Sequence, residues 1–363
     1  MKIYTDFSLL EYGKGIDMLF PFYTSEHNTY NRGDDNEVLS GRFDAYCIFA
    51  KENITITSLE EANFVVVPIY IPYSYPSNDA PKELVLFIER CVKYGKKILI
   101  FSGHDVGNVS IKIKNSVVLS GAAYKSKNSN GLLSFPHLFE DFIGRYKEGV
   151  LEVRDKSLVP QIGFCGFAPP INLTFGKSKI IGMAKLYANY IGLMKYIPNF
   201  SSHSYRARVL IELNRVKEIK TNFIIKNNFG FGPGGLNTGE HKVDTKTYRL
   251  NYINNIIDND YTICVRGIGN NSIRFYETLC CGRIPIFVNT DCVLPFEEII
   301  DWKHLCVWVE EKDIYRIGEI VKEFHNNLSN EEFKKRQIQL RKIWEEYLSP
   351  VGFFSKLHLL LEK

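Results

Sequence analysis

The stretch DYTICVRGIGNNSIRFYETLCCGRIPIFVNTDCVLPF, residues 260–296, predicts a strand, a glycine-containing loop, a helix and a second strand. Two short apolar and β-branched runs provide the strands, and either Asn271 or Ser272 is suited to cap the helix between them. Gly282 stands where a glycine commonly ends a helix. The unit is therefore a βαβ crossover, and its loop joins the carboxyl end of a strand to a helix N-terminus.

This loop has the features of a diphosphate-binding site. Backbone N–H groups and the positive end of the dipole at a helix N-terminus attract anions. Arg266 precedes Gly267, and Arg274 lies in the first helical turn, so two guanidinium groups would add bidentate donors. Glu277 lies three residues beyond Arg274 and could accept hydrogen bonds from ribose hydroxyls. The residue pattern alone leaves open a plain surface loop with an Arg274–Glu277 pair, because the loop is neither a Walker motif nor a full G-x-G-x-x-G.

The stretch also resembles the C-terminal signature of the exostosin family of glycosyltransferases. The resemblance is dense over residues 260–302 and thinner elsewhere. The motifs that carry it are Cys264-Val265-Arg266-Gly267, Ser272-Ile273-Arg274, Glu277, Gly282-Arg283-Ile284-Pro285, Leu294-Pro295-Phe296 and Asp301-Trp302.

The resemblance implies the GT-B arrangement, an α/β fold of two Rossmann-like domains that face a cleft. Alternating strand and helix patterns in the first half of the chain also favour a doubly wound sheet. A strand beginning at Gln161 resembles the family strand that opens the second domain. We expect an acceptor-side domain over residues 1–160, a nucleotide-sugar-binding domain over 161–345, and a last helix over 346–363 that crosses back to the first domain.

The resemblance further implies an inverting glycosyltransferase that moves a sugar from a nucleotide-sugar, expected to be UDP-linked, to an oligo- or polysaccharide acceptor, forming a β-linkage. The guanidinium groups of Arg266 and Arg274 would stabilise the charge on the departing diphosphate, a task that elsewhere falls to Mg²⁺, with Arg274 named as the catalytic one. No bound metal is expected. The residues expected to bind the donor are Arg266, Gly267, Asn271, Ser272, Arg274, Glu277 and Asn289.

The candidate catalytic base lies in the first half of the chain. His104 and Asp105 follow a predicted strand at 97–101, and ligands of open α/β sheets bind beyond the carboxyl ends of strands. The family carries a histidine–aspartate pair at about this point, and either side chain can accept a proton from an acceptor hydroxyl. Alternatively, Asp105 caps a turn and His104 is an ordinary loop residue.

Other polar or aromatic features have both a functional and a structural interpretation. Loop 22–39 could line the acceptor side or be a polar surface loop, and loop 227–243 is either a lid or a disordered insertion. Arg206 and Arg208 could approach a phosphate, but we expect surface cations. Three tyrosines near the end of the strand predicted at 64–71 could stack on sugars or simply pack: Tyr70, Tyr73 and Tyr75. Asp258-Asn259-Asp260 has the D-x-D form of some metal sites, but a helix stop explains it better.

Hydrophobic periodicity predicts the remaining elements. Further helices are predicted over 81–94, 179–196, 205–214, 246–257, 313–327, 331–347 and 351–361. Further strands are predicted over 2–4, 117–119, 222–226 and 302–309.

The composition is that of a globular protein large enough for two domains, with 363 residues of which 45% are hydrophobic. The net charge of +4 is too small to indicate a nucleic-acid partner. The eight cysteines show no metal-ligand spacing, and Cys47, Cys91, Cys264 and Cys280 lie in apolar patterns typical of buried thiols. No apolar run is long enough to span a membrane, so we expect a cytoplasmic enzyme, peripheral to a membrane at most.

Two alternatives remain at the level of sequence. One is a non-catalytic glycan-binding or polymerase-partner subunit that keeps the fold without the base. The other is a phosphoribosyl- or nucleotide-binding module of another type, which explains the loop but not the L-P-F and D-W steps.

Overall fold

Two all-parallel β-sheets, each formed by its own part of the chain, organise the fold. The computed structural model describes residues 1–24, 41, 43–71, 74–103, 109–127, 132–136, 140–168, 202–226 and 245–361. The predicted α/β class with two parallel-sheet units is confirmed. The exact domain boundaries stay a prediction.

The first sheet has the strand order β2-β1-β3-β5-β7-β8, and β4 pairs with β6 beside it. In the described ranges, helix Asp44–Asn53 lies between β1 and β2, and helix Lys82–Lys93 lies between β4 and β5. The strands are β1 Lys2–Tyr4, β2 Thr55–Ile56, β3 Phe64–Val66, β4 Ser74–Tyr75, β5 Ile98–Ser102, β6 Ser110–Ile111, β7 Ser116–Ser120 and β8 Leu133–Ser134.

The second sheet has the order β10-β9-β11-β12-β13. Residues 261–289 form the predicted βαβ crossover at its centre, with Tyr261 paired to Ile284 and Cys264 to Phe287. The strands are β9 Gln161–Phe167, β10 Lys220–Lys226, β11 Tyr261–Cys264, β12 Ile284–Asn289 and β13 Val307–Glu310.

Helices flank both sheets within the described ranges. The α-helices are α1 Asp44–Asn53, α2 Lys82–Lys93, α3 Phe142–Tyr146, α4 Ser202–Asn214, α5 Thr245–Ile257, α6 Ile273–Cys280, α7 Trp302–Leu305, α8 Ile317–Asn326, α9 Asn330–Ile343, α10 Pro350–Ser355 and α11 Leu357–Leu361. Short 3₁₀ segments are Phe7–Tyr12, Phe20–Phe22, Lys125–Lys127 and Glu311–Arg316, and Trp344–Leu348 is a π-helical turn.

The C-terminal segment packs against the first sheet. Phe353 and Phe354 of α10 are fully buried, and their rings lie 5.3 and 6.3 Å from the ring of Phe135. Phe354 also lies 5.0 Å from Tyr46 of α1. Aromatic pairs at these distances contribute about 1 kcal/mol beyond the area that they bury, so α10 is firmly held by the first sheet.

Gly282 ends α6 as the sequence predicts. Its φ is +60°, its N–H donates to the Leu279 carbonyl, and the N–H of Arg283 donates to the Thr278 carbonyl. These two bonds form a Schellman motif. A Cβ at this position would lie 2.8 Å from a Leu151 methyl carbon, so both conformation and space require glycine.

Two predicted strands are wrong in extent. The strand predicted at 64–71 is regular only to Val66, because Pro68 has no N–H to donate to the ladder. The strand predicted at 302–309 begins only at Val307. Residues 302–305 form α7 instead, since the Asp301 carboxylate accepts a hydrogen bond from the His304 N–H and caps a helical turn.

A buried polar cluster lies at the amino-terminal end of the second sheet. The His325 ring contacts the Tyr261 hydroxyl through Nδ1 and the Ser157 carbonyl through Nε2, both at 2.9 Å. Because a carbonyl can only accept, Nε2 carries the proton and Nδ1 accepts from the phenol. Asp260 accepts hydrogen bonds from the Ser157 hydroxyl and the Gln161 N–H, as expected if the D-x-D sequence is structural.

The eight cysteines are all free thiols, and all but Cys47 are buried. The prediction of buried thiols is therefore confirmed for Cys91, Cys264 and Cys280, while Cys47 is half-buried. Across the described ranges, no helix combines the length and the apolar character needed to cross a membrane.

Candidate functional site

The loop after β11 folds back on itself. The Gly267 N–H donates to the Asn271 carbonyl at 3.0 Å, and Arg266 Nη2 donates to the Ile268 carbonyl at 3.1 Å. Arg266 is almost fully buried, and its guanidinium lies 5.4 Å from the ring centre of Tyr124 in the first domain. The positive charge of Arg266 is therefore held in one place, between the loop and the other sheet.

The loop opens onto the N-terminus of α6. Ser272 occupies the N-cap position, but its side chain accepts no capping hydrogen bond in the described structure. Its carbonyl accepts from the Phe275 N–H at 2.9 Å, as the first turn requires. The first N–H groups of α6 are therefore not capped by the Ser272 side chain, which suits the binding of an anion.

Arg274, in the first turn of α6, is half-buried and contacts strand β9. Nη2 donates to the Cys165 carbonyl at 2.7 Å, and the guanidinium lies 4.5 Å from the ring centre of Phe164. Gly166 leaves room for it, since a Cβ there would lie 2.7 Å from Nη2. Strand β9 thus fixes the position of this arginine at the carboxyl end of the sheet.

Arg206 of α4 joins the same group of arginines. Nη1 donates to the Phe167 carbonyl at 3.0 Å and Nη2 to the Arg266 carbonyl at 3.3 Å. Burial, together with the charge of Arg274, lowers the pKa of Arg206 to about 10. The expectation of a surface cation is therefore wrong for Arg206, whereas Arg208 is exposed as expected.

Arg206, Arg266 and Arg274, which we call the arginine cluster, gather around the ends of β9 and β11. Among the described residues, neither Arg206 nor Arg274 forms an ion pair. Burial lowers the pKa of Arg206, and the charge of Arg274 lowers it further, so these two guanidinium groups are close enough to repel each other. An anion bound between them would relieve this repulsion.

Glu277 is nearly buried and belongs to a hydrogen-bonded network. It accepts from the Tyr252 hydroxyl, which in turn accepts from Arg274 Nε at 3.3 Å. Burial, together with the charge of Glu277, raises the pKa of the Tyr252 phenol. The phenol therefore stays protonated and donates a hydrogen bond to the carboxylate. Tyr252 therefore joins Glu277 to Arg274, and the predicted contact of Glu277 with ribose stays a prediction.

Two asparagines of the loop contact the first domain. Asn271 Nδ2 donates to the Gly121 carbonyl at 2.6 Å, and Asn270 Nδ2 donates to the Ala123 carbonyl at 3.2 Å. Both acceptors follow strand β7 of the first sheet. These contacts join the loop to the end of strand β7. The Asn271 side-chain amide is used in the contact with the Gly121 carbonyl.

Asn289 lies at the end of β12, beside the loop. Its Nδ2 donates to the Glu310 carboxylate at 2.7 Å, and its Oδ1 accepts from the Cys292 N–H at 3.1 Å. Asn289 lines a surface groove of about 640 Å³ that is not the loop itself. The sequence predicts that Asn289 lies near the donor, but no sequence pattern indicates this groove.

Several predicted residues fall outside the described ranges. These are the candidate bases His104 and Asp105, the sugar-stacking candidate Tyr73, residues 25–39 of the first loop and the predicted lid 227–243. Tyr70, by contrast, is half-buried, and a Cβ on Gly103, just before the candidate bases, would lie 2.5 Å from its ring. The base assignments therefore stay predictions.

Comparison with known proteins agrees with the signature. The family model of the Exostosin GT47 domain matches residues 232–324. Exostosin-1 of Drosophila melanogaster is 26% identical over 248 residues, covering 67% of this chain and 29% of that protein. A probable glucuronoxylan glucuronosyltransferase of Arabidopsis thaliana is 21% identical over 281 residues, covering 72% of this chain and 53% of that protein. The chain thus spans about a third to a half of the length of these relatives.

Two solved structures show weaker likeness. One is a TarM mutant of S. aureus in complex with Fondaparinux, alpha-GlcNAc-glycerol and UDP, with a TM-score of 0.27, 10% identity and coverage of 73% of this chain and 55% of that one. The other is the spinosyn forosaminyltransferase SpnP, with a TM-score of 0.30, 8% identity and coverage of 100% and 99%. The family match over residues 232–324 includes the sequence signature and confirms the predicted resemblance to the exostosin family of glycosyltransferases.

Proposed function

We propose that this protein transfers a sugar from a nucleotide-sugar, most simply a UDP-sugar, to a glycan acceptor. The observation that carries the proposal is the arginine cluster beside the start of α6, where the Ser272 side chain makes no capping hydrogen bond within the described residues. Fixed cations beside a helix N-terminus form a site for a diphosphate. The names of the relatives, which include glucuronosyltransferases, support the same class of reaction.

In the proposed reaction, an acceptor hydroxyl oxygen forms a bond to the anomeric carbon while the bond from that carbon to the diphosphate breaks. The electron pair of the broken bond stays on the diphosphate, whose growing charge the arginine cluster would stabilise. Attack from the opposite face inverts the anomeric carbon and gives a β-linkage from an α-linked donor. The hydroxyl proton passes to a base, for which His104 or Asp105 is our candidate.

The proposal needs no metal ion, because the arginines supply the positive charge that a divalent cation provides elsewhere. We also place the reaction in the cytoplasm. The eight free cysteines support this assignment, since thiols persist in reducing compartments.

The test is a thermal-shift screen of the protein against UDP, GDP, CMP and ADP, each with and without EDTA. A ligand that binds only the folded state raises the melting temperature in proportion to its affinity and concentration. We expect stabilisation by UDP that EDTA does not change. If EDTA abolished the shift, metal independence would be wrong, and if no nucleotide shifted the melting temperature, a non-catalytic glycan-binding subunit would be the better account.

A further inference from the structure

The groove at the carboxyl edge of the second sheet is distinct from the loop after β11. It encloses about 640 Å³, which is within the range of small-molecule sites. Its walls are the start of α4, the end of β12, and the end of β13 with the 3₁₀ segment that follows. Its volume is ample for a sugar ring, and the sequence signature includes none of these walls except Asn289 and Asp291.

A carboxylate in the groove is held in a fixed orientation. Glu310 accepts from Trp308 Nε1 at 2.8 Å through one oxygen and from Asn289 Nδ2 at 2.7 Å through the other. The Glu310 side chain remains 37% exposed. A carboxylate has about four acceptor positions, so Glu310 keeps acceptor capacity for hydroxyl groups in the groove.

Two tyrosines complete the lining. The Tyr205 hydroxyl donates a hydrogen bond to the Glu311 carboxylate, and Tyr315 is 65% exposed. Aromatic faces of this kind pack against the C–H face of a sugar ring, while the carboxylates accept from its hydroxyls. The lining also includes the exposed cations Arg208 and Lys312, which leaves the groove polar with charges of both signs. Such a mixture suits a ligand dense in hydroxyl groups.

The groove adjoins the arginine cluster through two connections. Tyr205 and Arg206 are neighbours on α4. On the other side, Asp291 lines the groove, and its carbonyl accepts from the side chain of Asn270 in the loop after β11 at 3.2 Å. A single ligand that spans both sites would place its diphosphate at the cluster and its next group in the groove.

We propose that this groove holds the sugar ring of the donor, and that Glu310 is the residue that fixes the ring by accepting hydrogen bonds from its hydroxyls. Asn289 and Trp308 are positioning residues, since they act by orienting the carboxylate. The inference rests on the proposed function, because it assigns a place to the sugar of the same nucleotide-sugar.

The test compares binding of UDP alone with binding of UDP-glucose, UDP-galactose and UDP-N-acetylglucosamine by calorimetric titration of the full chain. Glu310→Gln keeps the size of the side chain and removes its charge. A hydrogen bond from a hydroxyl to a carboxylate is stronger than one to a neutral group, so we expect the best UDP-sugar to bind about tenfold more weakly. The Kd for UDP alone should stay within about twofold. Glu319→Gln, at a carboxylate on α8 that is 71% exposed, is the matched control.

Each outcome separates the two proposals. If the wild-type chain binds UDP and Glu310→Gln changes neither Kd, the sugar ring does not lie in this groove and the inference is wrong. If Glu310→Gln weakens UDP as much as UDP-sugar, the groove holds the nucleoside instead and the inference is again wrong. If the wild-type chain binds none of these ligands, the proposed function fails, and the inference fails with it.

Discussion

Tyr252→Phe offers a sharp test of how the site is held together. The Tyr252 hydroxyl donates to Glu277 and accepts from Arg274, and the side chain is only 8% exposed. Removing this single oxygen leaves a nearly buried carboxylate without its donor and an arginine without one acceptor. The ring itself stays, so packing around it changes little.

The magnitude follows from these contacts. Hydrogen bonds to charged groups contribute about 1.5–3 kcal/mol each, and a buried acceptor left unpaired loses its share in full. Arg274 keeps its bond to the Cys165 carbonyl, so only part of its positioning is lost. We therefore expect the free energy of unfolding to fall by about 2–3 kcal/mol and UDP to bind several-fold more weakly.

Urea unfolding measures the first quantity and calorimetric titration with UDP the second. Tyr94→Phe, on an exposed ring in the first domain, is the control and should change the free energy of unfolding by less than about 0.5 kcal/mol. If Tyr252→Phe were as stable as the wild type and bound UDP equally well, the network would not position Arg274 and our account of the site would be wrong.

Two further predictions concern stability. Gly282→Ala should lower the free energy of unfolding, measured in urea, by well over about 2 kcal/mol, because it adds a clash to the strain of positive φ. Gly95→Ala, also at positive φ but with no atom within 4 Å of the added carbon, should lower it by only about 1–2 kcal/mol. Equal losses would contradict the packing around Gly282. Burial and the charge of Lys156 lower the pKa of His325, so the unfolded chain takes up a proton more readily than the folded one. The contribution of His325 to stability should therefore be complete above about pH 6.5 and lost as the pH falls toward the lowered pKa, and the difference in melting temperature between wild type and His325→Gln should shrink over that window; a difference independent of pH would refute this.

Local sequence rules predicted the elements that local interactions decide. The βαβ unit at 261–289 followed from two short apolar runs and a helix between them, and Gly282 was recognisable because a left-handed residue after a helix is usually glycine. The helix predicted at 81–94 is observed at Lys82–Lys93, since its apolar residues recur at helical spacing. In each case the signal lies within one turn or one strand of the residue concerned.

Residues brought in from a distance were harder to recognise. Arg206 and Tyr252 lie on helices without any motif, 60 and 22 residues from Arg266 and Arg274, which they bond. Only tertiary packing brings them there, with α5 against β9 and with α4 against α8 and the 3₁₀ segment Glu311–Arg316. One sequence feature indicates Arg206, namely an arginine in the first half of a helix next to the sheet. Many arginines on protein surfaces have the same feature, so it does not distinguish a site residue.

The error at 302–309 has a local cause that periodicity does not detect. Trp302 and Leu305 are buried, as a strand pattern would have them, but Trp302 donates from Nε1 to the Pro295 carbonyl at 2.8 Å and packs 5.3 Å from Phe275. These contacts, together with the Asp301 cap, favour a helical turn before the strand begins. A short capped turn and a strand end can share the same apolar pattern.

We propose above all that the arginine cluster binds the diphosphate of a nucleotide-sugar. The most direct measurement is the Kd for UDP of the wild type, Arg274→Ala and Arg215→Ala, with folding checked by the melting temperature of each free protein. Arg215 is a suitable control because its side chain is 67% exposed and its ion pair is with Glu212, three residues before it. We predict that Arg274→Ala binds UDP about 10- to 100-fold more weakly, as the loss of one or two charge-assisted hydrogen bonds requires, and that Arg215→Ala binds as the wild type does. Equal affinity in all three folded proteins would contradict the claim.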